Sequence, residues 1–382
     1  MPSVCYNERM KKEEIEKNME KQPWEGDLAR PLLQWYGRHK RVLPWREDPS
    51  PYHVWLSEIM LQQTRVEAVK GYYRRFLEVL PDIAALAGAK EEEYLKLWEG
   101  LGYYSRVQNL HKAAVMIMEE YGGQMPAEAK ELSRLPGVGD YTCAAIASIA
   151  FGHRIPAVDG NFLRIFARLT AFGESIKTGS GKKAAFDFFQ RAMEALPKKS
   201  RLCGDFNQAL MDLGAMVCLP AGRPLCTECP LAEFCQARAL DQTENFPKKE
   251  EKKPRKKQER TVFIIKAGSR IALGKRPKKG LLAGLYEFPN TLGYLSKEEG
   301  LDFVKSHGLL PLGIQPLKGG RHIFTHMEWH MKGYAVEVLP PLEEEKEWEF
   351  VQEEAVFLEK AIPSAFGVFL KALGQRKGPA PL

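Results

Sequence analysis

Glu58, Asp159 and four clustered cysteines are the side chains whose type and spacing could do chemistry in this sequence. Glu58 lies within Trp55-Leu56-Ser57-Glu58-Ile59-Met60-Leu61-Gln62-Gln63-Thr64. On a helix it shares a face with Val54, Trp55, Leu61 and Gln62. A carboxyl on so apolar a face either snorkels at an edge or is desolvated, and desolvation favours the protonated form that a general acid needs near neutral pH. Asp159, in Ala157-Val158-Asp159-Gly160-Asn161 ahead of an apolar-periodic run, sits where a helix N-cap belongs. Brought together, two such carboxyls can cleave a glycosidic bond.

The cysteines follow the pattern Cys218-x7-Cys226-x2-Cys229-x5-Cys235. Four thiolates so close in sequence could hold zinc or an iron–sulfur cube. Zinc knuckles usually pair their ligands as two C-x2-C units, and with one such unit here the irregular spacing favours [4Fe–4S]. Cys5, Cys143 and Cys203 read as spectators, and a disulfide framework is not expected. Two glycine-bearing turns complete the set. Leu135-Pro136-Gly137-Val138-Gly139-Asp140-Tyr141 joins two helices, and the outward N–H groups opening the second helix are a natural phosphate seat. Gly100-Leu101-Gly102-Tyr103-Tyr104 is a flexible loop carrying aromatic plates.

LPGVGDYT followed by PAVDGN resembles the helix-hairpin-helix DNA glycosylase superfamily, and SEIMLQQT resembles its adenine-releasing branch. The resemblance implies that Glu58 protonates adenine N7 and Asp159 stabilises the sugar cation, with Asn161 orienting water or a carboxylate. Related enzymes that also cut the strand carry a lysine nucleophile where this chain has Tyr141. Tyr141 is expected to hydrogen-bond Asp159 instead, which implies a monofunctional glycosylase. By the same resemblance Gly137 and Gly139 grip the DNA backbone. Gln63 enters the stack beside the damaged base and Tyr103 wedges in from the opposite side, with Thr64 and Leu101 also expected among the base-pocket and DNA-binding residues. Gln208 reads the flipped adenine, with Arg41, Trp45 and Arg46 lining its pocket. Phe324-Thr325-His326 falls where the family carries Phe-Ser-His, the segment that recognises 8-oxoguanine opposite the adenine. The family's first cysteine gap has six residues, whereas this one has seven. Arg223, inside the cysteine loop, is expected to face a DNA phosphate.

Positioning these groups requires two kinds of element. The first 240 residues show helical periods and almost no strand alternation. Helices are expected over Ala29–Tyr36, Val54–Leu80 (with a break before Val69), Lys90–Trp98, Val107–Tyr121, Ala127–Leu135, Tyr141–Phe151, Asn161–Leu169, Lys182–Leu196 and Arg201–Cys218. From Thr261 the pattern changes to α+β. A hairpin turns at Gly268-Ser269, a second strand pair over Ile323–Val338 turns near Lys332-Gly333, and helices span Lys297–His307 and Glu354–Leu373. The order of these elements, with Gly280 to Pro289, resembles the Nudix-like domain of the same family. Ser296-Lys297-Glu298-Glu299-Gly300 lacks the acidic box that a pyrophosphohydrolase needs for its metals. The expected organisation is a flexible segment 1–25, an all-α helix-hairpin-helix domain with a [4Fe–4S] loop over 26–240, a basic linker over 241–260, a Nudix-like domain over 261–373 and a tail over 374–382.

At 382 residues, with 44% hydrophobic and 27% charged residues, the composition is that of a soluble globular chain long enough for two or three cores. No apolar run is long enough to span a membrane and no secretory signal opens the chain, so cytoplasmic, nucleoid-associated residence is expected. The net charge of +7 fits a polyanion. Pro247 to Arg260 holds eight Lys/Arg against three Glu, a net of +5, so most of the excess lies in one segment. The expected partner is duplex DNA holding adenine opposite 8-oxoguanine or guanine, bound by a monomer.

Overall fold

A computed structural model describes residues 24–248, 254–340 and 347–374. The expected flexible segment 1–25 falls mostly outside these, as do nearly all of the tail 374–382, part of the linker, and Cys5. The helices in chain order are α1 (Ala29–His39), α2 (Pro44–Glu47), α3 (Pro51–Leu61), α4 (Val66–Val79), α5 (Ile83–Gly88), α6 (Glu91–Leu97), α7 (Ser105–Tyr121), α8 (Ala129–Leu132), α9 (Asp140–Ile149), α10 (Gly160–Leu169), α11 (Gly179–Ala192), α12 (Arg201–Met216) and α13 (Gln236–Ala239). The described residues fall into two compact units, one drawn from 1–62 with 116–251 and the other from 63–115 with 252–382. The unit boundary therefore does not follow the expected change from helix to α+β.

In the first unit α12 packs against α1, α9 and α10, and α3 lies on α9. Phe162, Phe166, Phe188, Phe189 and Phe206 fill the core, the first four with edge-on ring contacts. Close approach of α9 and α12 depends on Gly204, where a Cβ would lie 2.8 Å from Ile149 Cα. Ser50 caps α3, with its hydroxyl accepting from His53 N–H and Pro51 in the first turn. The single long helix expected over Val54–Leu80 is two helices, α3 and α4, because the chain leaves helical geometry at Gln62–Arg65, with Gln63 at φ 57°.

The second unit holds α4 to α6, the first part of α7 and a seven-stranded sheet. Its strands are β1 (Lys256–Ala267), β2 (Arg270–Lys275), β3 (Tyr286–Glu287), β4 (Asn290–Leu292), β5 (Pro311–Ile323), β6 (Met327–Val338) and β7 (Trp348–Gln352). The main path runs β3-β2-β1-β6-β5, with β1 and β6 parallel and the other pairs antiparallel. Both faces are buried, which explains the unbroken apolar run in β1. Val262 and Ile264 face one core with Phe366 and Phe369, while Phe263 and Ile265 face another with Val304. Helix α14 (Lys297–Ser306) covers one face. The helix expected over Glu354–Leu373 is two pieces, α15 (Glu353–Leu358) and α16 (Gly367–Leu373), separated around Pro363. Ser296 and Glu299 form a reciprocal capping box on α14, so a carboxylate of the sequence that lacks the acidic box serves as a helix cap.

The second strand pair differs from expectation. Gly333 lies inside β6 and not at a turn, because a Cβ there would collide with the Phe369 ring of α16. The turn falls at Phe324-Thr325-His326, between β5 and β6, closed by Phe324 N–H donating to Met327 O at 2.8 Å. Strand β1 also starts at Lys256, five residues before the expected domain start, and Lys256 N–H donates to His326 O at 3.2 Å.

Candidate active site

In the first unit, α3 and α9 bring Glu58 and Tyr141 into contact. Tyr141 Oη donates to Glu58 Oε2 at 2.5 Å. The expected partner of Tyr141 was Asp159. The first turn of α9 aims the phenol at α3, and the oxygens of Asp159 are already engaged. Asp159 is the N-cap of α10, as its position predicts. Its Oδ1 accepts from the N–H groups of Asn161 at 2.8 Å and Phe162 at 2.9 Å, and its Oδ2 accepts from Asn161 Nδ2 at 2.7 Å. Arg164 continues this chain, donating from Nη2 to Asn161 Oδ1 at 2.8 Å and from Nε to the Cys218 carbonyl at 2.7 Å. Gly214 lets Asn161 lie there, since a Cβ at 214 would sit 2.6 Å from its side chain.

The electrostatics follow from burial. Glu58 is 5% exposed, and desolvation lifts its carboxyl to about 7. The Tyr141 hydrogen bond and the Arg46 charge oppose that rise, while the negative charge of Asp159 adds to it. Asp159 is also raised by burial, against the pull of its Phe162 and Asn161 hydrogen bonds and of Arg164. Burial, then the charges of Glu58 and Asp159, hold the Tyr141 phenol well above its ordinary range, so it stays a donor. A carboxyl poised near 7 can give a proton and take it back.

Arg41 and Arg46 both turn onto Asp212, a fully buried residue of α12 that the sequence reading passed over. Trp45 is buried and Gln208 half-buried on α12. Gly137 takes φ 78° in the turn before α9, and Gly139 is the N-cap of that helix. Arg223 is an exposed residue 3.7 Å from Asp241.

The second unit gathers six of the expected residues around one cavity of about 570 Å³. Gln63, Leu101, Tyr103, Phe324, Thr325 and His326 all line it, along with Gln108, Leu282 and His322. Tyr103 and Thr325 hydroxyls lie 2.5 Å apart. Thr64 stands beside the buried Arg106, whose Nη2 donates to it at 3.3 Å. Gln63, Tyr103 and Leu282 have φ of 57°, 47° and 59°, a left-handed conformation that side-chain-bearing residues avoid. Leu282 was not expected from sequence, and the neighbouring Gly280 and Gly284, both at positive φ, were the available signal.

Cys218, Cys226, Cys229 and Cys235 are free thiols lining one hollow with Arg168 and Arg238. Arg168 Nη1 donates to Cys218 Sγ at 3.1 Å. Burial, and less strongly the neighbouring cysteines, push the Cys229 thiol up to about 12. Among the described residues no three Cys, His, Asp or Glu side chains converge as a single-ion site. Also among the described residues, no helix is long and apolar enough to cross a membrane.

Residues 56–188 match the model of the HhH-GPD superfamily of base excision DNA repair proteins, and residues 261–372 match a NUDIX domain. The chain is 38% identical over 313 residues to the adenine DNA glycosylase of Homo sapiens, spanning 68% of this chain and 56% of that protein. It is 36% identical over 367 residues to the adenine DNA glycosylase of Rattus norvegicus, spanning 81% of this chain and 70% of that protein. A solved thermostable thymine-DNA glycosylase shares 28% identity at a TM-score of 0.49, over 56% of this chain and 97% of its own. With two carboxyls and a tyrosine assembled at the helix-hairpin-helix turn and relatives of this similarity, the chain belongs to the adenine DNA glycosylase family of the helix-hairpin-helix base-excision repair superfamily.

Proposed function

We propose that this chain hydrolyses the N-glycosidic bond of adenine paired with 8-oxoguanine or guanine in duplex DNA, leaving an abasic site and an intact strand. The observation carrying the proposal is the buried Glu58, poised at about 7 and hydrogen-bonded by Tyr141 beside Asp159. Gly137 and Gly139 present backbone N–H groups to a phosphate, and the adenine is extruded towards Glu58. Glu58 gives its proton to adenine N7 as the glycosidic bond breaks, so adenine leaves neutral and the sugar becomes an oxocarbenium ion. Asp159, fixed by its cap hydrogen bonds and Asn161, faces that positive charge. The Glu58 carboxylate, with Tyr141 donating to it, then takes the proton of the attacking water. Gln208, Trp45, Arg41 and Arg46 line the adenine site. Because position 141 holds a phenol and not an amine, no Schiff base forms at that position.

The base opposite the adenine is read by the second-unit cavity. It is ample for one base, and Gln63 and Tyr103, the residues that enter the stack, line it with Leu101. Thr325 Oγ1 at the tip of the β5–β6 turn is a donor or acceptor for the 8-oxoguanine edge, flanked by Phe324 and His326. The four cysteines would hold a [4Fe–4S] cluster. Their shared hollow, the absence of any disulfide among them and the Arg168 cation at Cys218 fit such a group. When bound, the cluster supplies iron–thiolate bonds that cross-link residues 218–235. The enzyme acts as a monomer on chromosomal DNA in the cytoplasm.

A duplex with one adenine opposite 8-oxoguanine tests the proposal. Free adenine and strands that break only after alkali are expected, with Glu58→Gln and Asp159→Asn each abolishing release while still binding duplex. A borohydride-trapped covalent adduct or spontaneous strand cleavage would overturn the monofunctional reading.

A further inference from the structure

Asp212 is completely buried, yet it is charged, and it is the meeting point of two arginines from outside its helix. Arg41 donates to it from the backbone N at 3.0 Å and from Nε at 2.7 Å. Arg46 donates from Nη1 to Oδ2 at 2.8 Å and from Nη2 to Oδ1 at 2.9 Å, and Nη1 also reaches the Arg41 carbonyl at 3.1 Å. A bidentate fork of this kind fixes the plane of the Arg46 guanidinium as well as its place. The Arg46 charge acts on Glu58, and its guanidinium carbon lies 5.6 Å from the centre of the Tyr36 ring.

We infer that Asp212 is a positioning residue for the acid: it holds Arg46 in a fixed plane and cancels its charge, so that Glu58 does not face a bare cation. The inference rests on the reading of Glu58 as proton donor. The groups around Glu58 are Tyr141 from α9, Asp159 at the start of α10 and Arg46 from α2. Those around Arg46 are Asp212 and Asp205 from α12, Tyr36 from α1 and Glu58 itself. Among the described residues whose charge acts on Glu58, Arg46 is the sole cation, and Asp212 is the carboxylate bonded to it. Two arginines share that one carboxylate, leaving a net single positive charge. Deleting the carboxylate doubles it and favours the ionised, proton-spent form of Glu58. Arg46 freed of its fork would also be able to turn towards Glu58.

Asp212→Asn tests this in the full-length chain, because the amide keeps the shape and removes the charge. Single-turnover adenine release is measured across about pH 5 to 9, alongside the carbon-13 carboxyl titration of Glu58 assigned with Glu58→Gln. The expected result is that the midpoint of the alkaline limb and the Glu58 titration both fall by about one unit. The rate would then drop about tenfold at high pH and little at low pH. Adding Arg46→Gln to Asp212→Asn should bring the titration back up. A loss of rate uniform across pH with an unmoved Glu58 midpoint would reduce Asp212 to a fold-supporting residue and overturn the inference. Should Asp212→Asn fail to fold, Arg46→Gln alone serves: its Glu58 midpoint must rise, and a fixed midpoint overturns the inference. Wild-type protein that releases no adenine while Glu58 still titrates as described would sink the functional reading and leave this one standing.

Discussion

At the scale of single residues, the site pays in stability for its chemistry at Glu58. The ordinary carboxyl value is 4.5, and burial raises it to about 7 in the folded chain. Folding therefore favours a proton on this group. Its contribution is fully present below 4.5 and is lost as pH rises through 7. Glu58→Gln removes the titration, so the variant should be inactive yet more stable than wild type at about pH 8.5, by a margin approaching 3 kcal/mol. Below about pH 4.5 the difference should vanish. Urea unfolding at the two pH values decides it, and a variant equally or less stable at high pH would show that burial does not raise the Glu58 carboxyl. Asp159 separates its two duties in the same way. Asparagine caps helices as well as aspartate, so Asp159→Asn should lose adenine release while keeping its melting temperature. Asp159→Ala should lose both, with a stability cost of about 1 kcal/mol measured by the same denaturation.

The elements show what could be read from the sequence and what could not. The cap at Asp159, the turn around Gly137 and the β1–β2 hairpin at Gly268 were legible because each depends on local geometry that a few residue types satisfy. Gly333 was misleading for the opposite reason. Its role is set by Phe369, a residue of α16 brought onto the sheet by tertiary packing, and a glycine needed for close approach looks like a glycine needed for a turn. Strand β5 was illegible because Pro311, Gly313, Pro316 and the bulge between Leu317 and Gly320 interrupt its alternation. Asp212 escaped notice because a lone aspartate on an apolar helix carries no signal until two arginines are seen to meet it. Gly214 gives a test at this scale. Alanine there would push Asn161 off its hydrogen bond with Asp159, so Gly214→Ala should cut adenine release more than duplex binding and cost about 1 to 3 kcal/mol of stability. A crystal structure of the variant with Asn161 unmoved would remove the reason for any such loss.

Over the whole molecule, the chain places its carboxyls in one unit and the cavity containing Tyr103 and Thr325 in the other. That cavity joins sequence segments 222 residues apart through the hydroxyl pair of Tyr103 and Thr325. Such a pair has two consequences that a simple contact would not. It ties the side chain of a residue in the left-handed conformation to the β5–β6 turn, and it occupies the Thr325 oxygen that, in the function proposed above, reads the opposite base. Tyr103→Phe frees that oxygen, and Thr325→Ala removes it. If 8-oxoguanine competes with Tyr103 for Thr325, Tyr103→Phe should slightly raise the preference for adenine opposite 8-oxoguanine over adenine opposite guanine. Thr325→Ala should lower that preference, and adding Tyr103→Phe to it should change nothing further. The coupling in the double-mutant cycle should be about 0.5 to 1 kcal/mol, as for one exposed hydrogen bond. Binding measured on the two duplexes with all four proteins gives the answer. Strictly additive effects would mean that Tyr103 and Thr325 act on DNA independently, with their hydrogen bond playing no part in choosing the base.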